Sequence, residues 1–385
     1  MIATFYGALA GVYLLCGRWD LFRMSEGAGK PAFYSEVRFW VVLLLGTAFL
    51  ANANRPPEGN GWRVHAPLVA FLSYVLLSAA WSPDHDLALA KGYDVVLLGV
   101  ASLGFASVLS HDEAGRALES FWATIVAFAG GLALMAAANM VTTGATGERL
   151  AVLGGGPNVF VRIVGYLALG SLFLWKKHGM PLVFIPSIAI AVMMATLSGS
   201  RGGLLALACS IVCFVALEAR RAGRYLAGLA VASAALALVA TTTPIGRAAM
   251  ETYQQRVVSL LWEEHYTAGR GELFRSAYEF GLASPMFGNG LAAFPARGKG
   301  VYPHNLFLEM FAETGIVGLC LLGLALGSAV AHAMRRRRWP DSATVGGLVL
   351  ILVASQFSGD LYDSRGVFLF LVAAVAPGGG DARSA

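Results

Sequence analysis

The chain has 385 residues, of which 57% are hydrophobic and only 13% are charged, and its mean hydropathy is +0.65. Because a soluble globular protein carries about 25% charged residues, this composition excludes a soluble fold. The net charge of +5 does not indicate a nucleic-acid partner, since Lys and Arg are concentrated between apolar segments, most densely at residues 335–338.

The apolar segments follow one another along the whole chain and predict an all-α, polytopic membrane protein of about 12 transmembrane helices. We expect helices at residues 2–17, 37–53, 65–81, 93–110, 118–141, 159–176, 181–197, 202–218, 224–242, 306–333, 343–358 and 365–378. The first segment has neither a basic n-region nor a cleavage site of small residues, so we expect it to be retained as a helix.

A long polar loop divides the predicted helices into two groups. We expect transmembrane helices 1–9 at 1–242, the loop at 243–305, transmembrane helices 10–12 at 306–378 and a tail at 379–385. The distribution of Lys and Arg favours a cytoplasmic N-terminus, which places the loop on the periplasmic side. Long structured loops often carry function. This one contains a predicted amphipathic helix near residues 271–282.

Arginines stand out near the predicted membrane surface. Arg201 lies in the run SGSRGG at residues 198–203, where the small residues predict a tight turn; the alternative is a connecting turn with a snorkelling arginine. Arg270 and Arg275 lie at the predicted loop helix, where the alternative is a solvated face with a Glu272–Arg275 ion pair. These arginines are candidates for binding an anion.

Two further candidates lie in loops. His304, in the run YPHN at residues 302–305, precedes an apolar segment and can act as an acid or base at neutral pH; the alternative is a capping or interfacial histidine. Arg149 precedes the glycine run at 154–156, whose backbone could approach a phosphate; the alternative is a flexible loop.

Together these residues favour an anionic, phosphate-bearing lipid substrate. Arginine binds phosphate through a rigid planar fork and stays charged. The long loop has no DxD-like pair of acidic residues for a divalent metal, so we expect neither a metal nor a cofactor.

Seven motif segments follow one another along the chain: AWSPD at 80–84, the loop with Arg149 and GGGPN at 154–158, SGSRG at 198–202, GRGELFR at 269–275, PMFGNG at 285–290, PHNL at 303–306 and ETGIVGL at 313–319. Their types and order resemble those of the O-antigen ligase and O-antigen polymerase superfamily of bacterial cell-envelope glycan enzymes. The resemblance is most specific at residues 198–320. The chain departs from the family at Ala292, where a glycine is common.

The resemblance implies a GT-C-like glycosyltransferase in the bacterial inner membrane, acting in the synthesis of lipopolysaccharide or an exopolysaccharide with its active site facing the periplasm. It implies transfer of a glycan from undecaprenyl diphosphate to a hydroxyl of a lipid core, a glycan or a protein, without a metal and with inversion. His304 would then be the general base, and Arg201 and Arg270 would neutralise charge on the diphosphate. Arg275, Arg149 and Asn305 are the expected substrate-binding residues.

The alternative function is a transporter or flippase of lipid-linked oligosaccharide. Such proteins often have repeated halves and polar residues at the membrane midplane, and the sequence shows neither clearly. A non-catalytic scaffold is a third hypothesis, but it would have no need of grouped arginines and a histidine.

Overall fold

A computed structural model describes residues 1–20, 33–52, 64–112, 115–143, 156–254, 270–298, 302–336 and 340–376. Those residues form α-helices joined by turns, with no β-strand among them, which confirms the predicted all-α class. The helices are α1 (Ile2–Cys16), α2 (Val37–Asn52), α3 (Ala66–Leu77), α4 (His85–Ser110), α5 (Arg116–Thr143), α6 (Pro157–His178), α7 (Pro181–Leu197), α8 (Arg201–Leu217), α9 (Ala222–Thr242), α10 (Pro244–Tyr253), α11 (Arg270–Ala283), α12 (Ala293–Ala296), α13 (Leu306–Arg336), α14 (Ser342–Ala354) and α15 (Arg365–Val375).

The described part of the chain contains five helices that are long and apolar enough to cross a membrane. These spans are His85–Ser110, Arg116–Asn139, Pro157–His178, Ala219–Thr242 and Leu306–His332. Shorter apolar helices accompany them: α1, α2, α3, α7, α8, α14 and α15. Every predicted apolar segment corresponds to one of these helices, so the multi-pass character is confirmed, while a total of twelve crossings stays a prediction.

The largest boundary difference is at the start of α4, which begins at His85 rather than at residue 93. Asp84 caps this helix, since its Oδ1 accepts a hydrogen bond of 3.0 Å from the backbone N–H of Leu87. The polar residues between 85 and 92 have the hydropathy of a loop, but they extend the membrane helix by two turns. Lys91 therefore lies on α4 and not in a connection.

One compact unit comprises Met1–Leu118, Ala268–Pro340 and Ser355–Ala385. Within it α4 packs against α1, α2 and α15, while α13 packs against α3 and α11. Helices approach closely where glycine removes a side chain: a Cβ on Gly104 of α4 would lie 2.5 Å from the carbonyl oxygen of Leu45 on α2. This close approach gives the α2–α4 pair a backbone-to-backbone contact.

The other unit comprises Glu119–Thr267 and Asp341–Ala354. Here α14 packs against α8 and α6, and α7 packs against α6, α9 and α10. The Nζ of Lys176 lies 2.6 Å from a carboxylate oxygen of Glu218 and 2.9 Å from one of Asp341, joining the ends of α6 and α8 to the start of α14. Such pairing satisfies charges that would otherwise be costly next to apolar helices.

The long helix α13 is broken in its third turn by Gly315, whose φ of 66° and ψ of −162° are not helical. We name residues 312–317 the Gly315 break. A helix carbonyl normally accepts a hydrogen bond from the N–H four residues later. At the break this pattern fails, and the freed backbone groups need other partners because they are buried.

Residues 284–291, which we name the GNG loop, supply those partners. The backbone N–H of Asn289 donates to the carbonyl of Ala312 at 3.1 Å, and that of Gly290 donates to the carbonyl of Glu313 at 2.9 Å. In the opposite direction, Ile316 and Val317 donate to loop carbonyls at 2.8 and 3.1 Å. The segments PMFGNG and ETG, found as separate motifs in the sequence, are therefore two halves of one hydrogen-bonded unit.

The conformation of Gly315 predicts that Gly315→Ala destabilises the fold. An added Cβ would lie 2.5 Å from the carbonyl oxygen of Met286. The backbone angles alone would cost about 1–3 kcal/mol with a side chain present, and the overlap adds to that cost. Thermal unfolding of the detergent-solubilised protein should show a lower midpoint.

Gly323→Ala on the same helix is the matched control, because an added Cβ there meets nothing within 4 Å. Alanine favours a helix interior over glycine by about 1 kcal/mol, so this variant should unfold at the same or a higher temperature. Equal effects of the two substitutions would contradict the role given to the break.

Candidate functional site

The turn that carries His304 lies directly before α13, as the sequence predicts. His304 has a φ of 62°, in the left-handed region that few residues other than glycine adopt. Its imidazole stands edge-on to the ring of Tyr302, with the ring centroids 4.6 Å apart. Strained backbone of this kind is maintained where the surroundings enforce it and is concentrated at functional sites.

Asn305 fixes the end of this turn. Its Oδ1 accepts a hydrogen bond of 3.0 Å from the backbone N–H of Leu308, so Asn305 is the N-cap of α13. Its Nδ2 donates to the carbonyl of Gln356 at 3.4 Å, and the N–H of Leu306 donates to the carbonyl of Ser355 at 3.0 Å. The segment that follows α14 thus holds the His304 turn in place.

The connection between α3 and α4 packs against the GNG loop. Ser82, in the AWSPD segment, donates a hydrogen bond of 2.6 Å from its Oγ to the carbonyl of Leu291. The backbone N–H of Leu291 donates to the carbonyl of Ser78 at 3.2 Å. A Cβ on Gly290 would lie 2.6 Å from the Cα of Ser82, so this approach requires glycine. Three separate motif segments therefore meet in the first unit.

A lysine and two glutamates form a group between the membrane helices α4 and α13. The Nζ of Lys91 lies 2.5 Å from Oε1 of Glu309 and 2.7 Å from Oε2 of Glu313. Both glutamate side chains are fully buried, and that of Lys91 is 13% exposed. We name these three residues the Lys91 cluster. Charged groups in apolar helices are costly, which makes them candidates for function.

A second group of charges, the Arg18 network, joins the turn after α1 to α2, α4 and the connection before α15. Arg18 binds Asp94 and Asp360, each with a 2.8 Å contact between Nη2 and a carboxylate oxygen. Arg38 binds the other oxygen of Asp94 at 2.6 Å. Both guanidinium groups also lie over the ring of Tyr362, at 5.0 and 4.4 Å from its centroid.

The network changes the acidity of Asp360. Burial raises the pKa of this carboxyl, but the guanidinium of Arg18 and the ammonium of Lys91 lower it by more, so that the pKa lies below its ordinary value. Asp360 is thus maintained as an anion in the folded protein. It connects the Arg18 network electrostatically with the Lys91 cluster.

Two of the predicted arginines belong to α11, which confirms the amphipathic helix predicted near residues 271–282. Arg270 is the first residue of this helix and is half-buried. Arg275 is 81% exposed and pairs with Glu279 at 2.8 Å, so the ion pair runs to the next turn and not back to Glu272. The packed side of α11 is at Ala277 and at Gly281, which contacts Phe311 of α13.

Arg201 is the first residue of α8, in the second unit. The tight turn predicted from SGSRGG is present, with Gly199 at a φ of 61°. Ser200 caps the helix by accepting from the N–H of Gly203 at 3.2 Å, and its Oγ donates to Oδ1 of Asn158 at 2.5 Å. These bonds bring the GGGPN and SGSRG segments together, with Arg201 half-buried beside them.

The predicted site residues thus fall into three groups. Arg270, Arg275, His304 and Asn305 belong to the first unit, and Arg201 belongs to the second. Arg149 lies outside the described residues, as do the first glycines of its motif.

Lys91, Glu309, Glu313 and the residues of the Arg18 network have no role that the sequence predicts. Glu313 was recognised only as part of the ETG motif. The available signal was the presence of ionisable residues inside or beside apolar segments, which marks them for attention even without partners. Their pairing across α4 and α13 joins residues more than two hundred positions apart, and no local pattern contains it.

A family comparison agrees with this arrangement. Residues 186–323 match the family model described as O-antigen ligase. The resemblance inferred from the sequence is thereby confirmed for this segment of the chain. Among curated proteins, no match to the chain is found.

The O-antigen ligase segment begins inside α7 and ends inside α13. It contains the Arg201 turn, α11, the GNG loop, the His304 turn and the Gly315 break. The match supports an O-antigen ligase-like function in glycan transfer. The apolar helices support a multi-pass membrane protein.

The lowered pKa of Asp360 predicts a stability that depends on pH. Aspartate in an unfolded chain titrates near pH 4. Because the folded pKa is lower, the stabilisation is fully present above about pH 4 and is lost as the pH falls through the folded pKa. Asp360→Asn should therefore flatten the acid side of the stability–pH curve measured by denaturant unfolding in detergent.

At neutral pH the same substitution should cost roughly 1.5–3 kcal/mol, the contribution of a hydrogen bond to a charged group. Asp86→Asn is the control, since Asp86 is exposed in the first turn of α4. An acid slope that is as steep in Asp360→Asn as in the unsubstituted protein would show that Asp360 is not the group responsible.

Proposed function

We propose that this protein is a glycosyltransferase that moves a glycan from undecaprenyl diphosphate to an acceptor hydroxyl at the periplasmic face of the bacterial inner membrane. The observation that carries the proposal is the O-antigen ligase match over residues 186–323, which contains every described residue predicted to act on the substrate. The acceptor is a lipid core, a protein or another lipid-linked glycan, so the reaction is that of a ligase or a polymerase.

His304 is proposed as the general base. Its placement before the N-terminus of α13, with a strained backbone and the neighbouring Tyr302 ring, supports this role. The acceptor hydroxyl would transfer its proton to the imidazole as its oxygen attacks the anomeric carbon. The bond from that carbon to the diphosphate breaks in the same step, so the transfer inverts the anomeric centre. A positioned base contributes about 10²–10⁴ to the rate.

The arginines are proposed to stabilise the leaving diphosphate. Arg201 stands at the N-terminus of α8, where backbone N–H groups and the helix dipole also favour an anion. Arg270 has the same position on α11. Fixed positive charge directed at a leaving diphosphate can serve as a charge clamp in place of a metal ion. Arg275 and Arg149 are proposed to bind the substrate, and Asn305 to border it.

We also propose roles for the four segments of the chain that the sequence predicts. Helices at residues 1–242 and 306–378 would hold the lipid part of the donor in a GT-C-like arrangement. The loop at 243–305 would present the catalytic groups on the periplasmic side, and the tail at 379–385 would be cytoplasmic. The charged residues of α11 and their distance from the apolar spans in the sequence support an aqueous location for the loop.

Replacing His304 should separate chemistry from folding. His304→Ala and His304→Asn both remove the imidazole, and asparagine tolerates a positive φ better than alanine does. Both variants should lose about 10²–10⁴ of the transfer rate. A fold that is intact in the asparagine variant would assign the loss to the missing base.

His178→Ala is the matched control, because His178 is exposed at the end of α6 and pairs with Glu119. It should transfer glycan at the unsubstituted rate. Full activity in His304→Asn would remove His304 from the mechanism.

Arg201→Lys should test whether the guanidinium fork is needed. Lysine keeps the charge but cannot bind two phosphate oxygens in one plane. The loss of one charge-assisted hydrogen bond predicts a fall in kcat/KM of about tenfold or more. Equal activity of the lysine variant would mean that Arg201 acts only as a point charge.

The reaction itself is tested with purified protein, an undecaprenyl-diphosphate oligosaccharide and EDTA, with and without a separate acceptor. Product formed only with the separate acceptor would identify a ligase, and a ladder formed from the donor alone would identify a polymerase. Retention of the anomeric configuration would refute direct displacement. Absence of transfer, with donor crossing the bilayer of proteoliposomes, would overturn the proposal in favour of a transporter.

A further inference from the structure

The Lys91 cluster has an unbalanced charge. Two carboxylates surround one ammonium, and both glutamate side chains have no exposure to solvent. Asp360 is the further charged group that acts on both Lys91 and Glu309, and it is negative and already bound to Arg18. It therefore does not compensate the excess. A buried net negative charge in a membrane helix is unfavourable by several kcal/mol.

The hydrogen bonding of the Lys91 cluster is also incomplete, because it lacks donors. Oε1 of Glu309 and Oε2 of Glu313 accept from Lys91. The other oxygens, Oε2 of Glu309 and Oε1 of Glu313, are buried and have no hydrogen-bond partner among the described residues. A buried carboxylate oxygen without a donor carries its full desolvation cost. Two such oxygens next to one ammonium indicate that a positive charge or a donor is still to be supplied.

We propose that the Lys91 cluster is a proton-binding site, in which Glu309 and Glu313 share one proton and Lys91 positions the His304 turn. The proton converts one carboxylate into a carboxyl group, which makes the cluster neutral and provides an O–H donor. Paired carboxylates that cannot both ionise hold a proton for the same reason.

The position of the cluster on α13 gives it a role in the site. Glu309 is one turn beyond Asn305, and its N–H donates to the Asn305 carbonyl at 2.9 Å. Glu313 is one turn further along α13, and its carbonyl accepts a hydrogen bond from the backbone N–H of Gly290 in the GNG loop. Lys91 therefore ties α4 to α13 at two positions, at Glu309 one turn after the His304 turn and at Glu313 within the Gly315 break. This positioning role rests on the proposed function, whereas the proton site does not.

Unfolding temperatures of four variants test the proton site. Because glutamine has the shape and charge of a protonated glutamate, at least one of Glu309→Gln and Glu313→Gln should unfold within about 3 °C of the unsubstituted protein. The double variant leaves the buried ammonium of Lys91 without a carboxylate, and Lys91→Met leaves the remaining carboxylate without an ammonium. Both should unfold roughly 10 °C lower. If each single glutamine variant falls as far as the double variant, glutamine does not replace a protonated glutamate at either position and the proposal is wrong.

Infrared spectroscopy tests the proton directly. At neutral pH the unsubstituted protein should show the C=O stretch of a protonated carboxylic acid that is lost in the double glutamine variant. Spectra of the two proteins that coincide in this region would overturn the proton site. Neither measurement needs catalysis, so a failure of the proposed function would leave both results interpretable.

The transfer assay tests the positioning role. Lys91→Met should lower kcat by about 10²-fold, the effect of a small misplacement of a reacting group, with little change in KM. The glutamine variant that keeps its stability should also keep its kcat. An unchanged kcat in Lys91→Met would refute the positioning role. If even the unsubstituted protein transfers no glycan, the proposed function fails, and the unfolding and infrared results decide the proton site.

Discussion

The exchange of backbone hydrogen bonds between the GNG loop and the Gly315 break is the constraint on which the first unit depends. A broken membrane helix leaves polar groups that lipid cannot satisfy, so a second chain segment must enter and pair with them. That requirement explains the residue types in the motifs. Gly315 permits the break, Gly290 permits the approach of the α3–α4 connection, and the side chain of Asn289 donates a further bond to Ala312 at 2.9 Å. These motif residues have no predicted catalytic role, and the geometry of the backbone accounts for their residue types.

Charge is arranged around the same elements. The Arg18 network, the Lys91 cluster and the segment that follows α14 form a continuous path from α1 to the His304 turn. Buried ion pairs add little net stability, because the cost of removing charges from water offsets their attraction. The ion pairs of the Lys91 cluster, on the helix that begins at the His304 turn, are therefore better explained by a requirement for fixed geometry than by a requirement for stability.

The sequence was informative wherever the signal was local. Apolar segments located the membrane helices within a few residues, and the polar run before Leu306 correctly placed His304 at a helix start. Local signals failed where a cap or a distant partner decided the outcome. The cap at Asp84 extends α4 beyond its apolar part, and Arg275 pairs with Glu279 and not with Glu272. The partners of Lys91 lie on a helix that is distant in sequence. Ala292 has a φ of 60°, in the left-handed region that glycine adopts most readily, although it carries a side chain.

The broken helix also bears on the order in which the protein is made. The GNG loop precedes α13 in the chain, so it is synthesised before the break. When residues 312–317 reach the bilayer, the donors and acceptors that complete them already exist. A rearrangement that placed the loop after the helix would leave the break exposed to lipid during insertion. The order of the GNG loop and the Gly315 break in the chain therefore suits the membrane insertion of the broken helix α13.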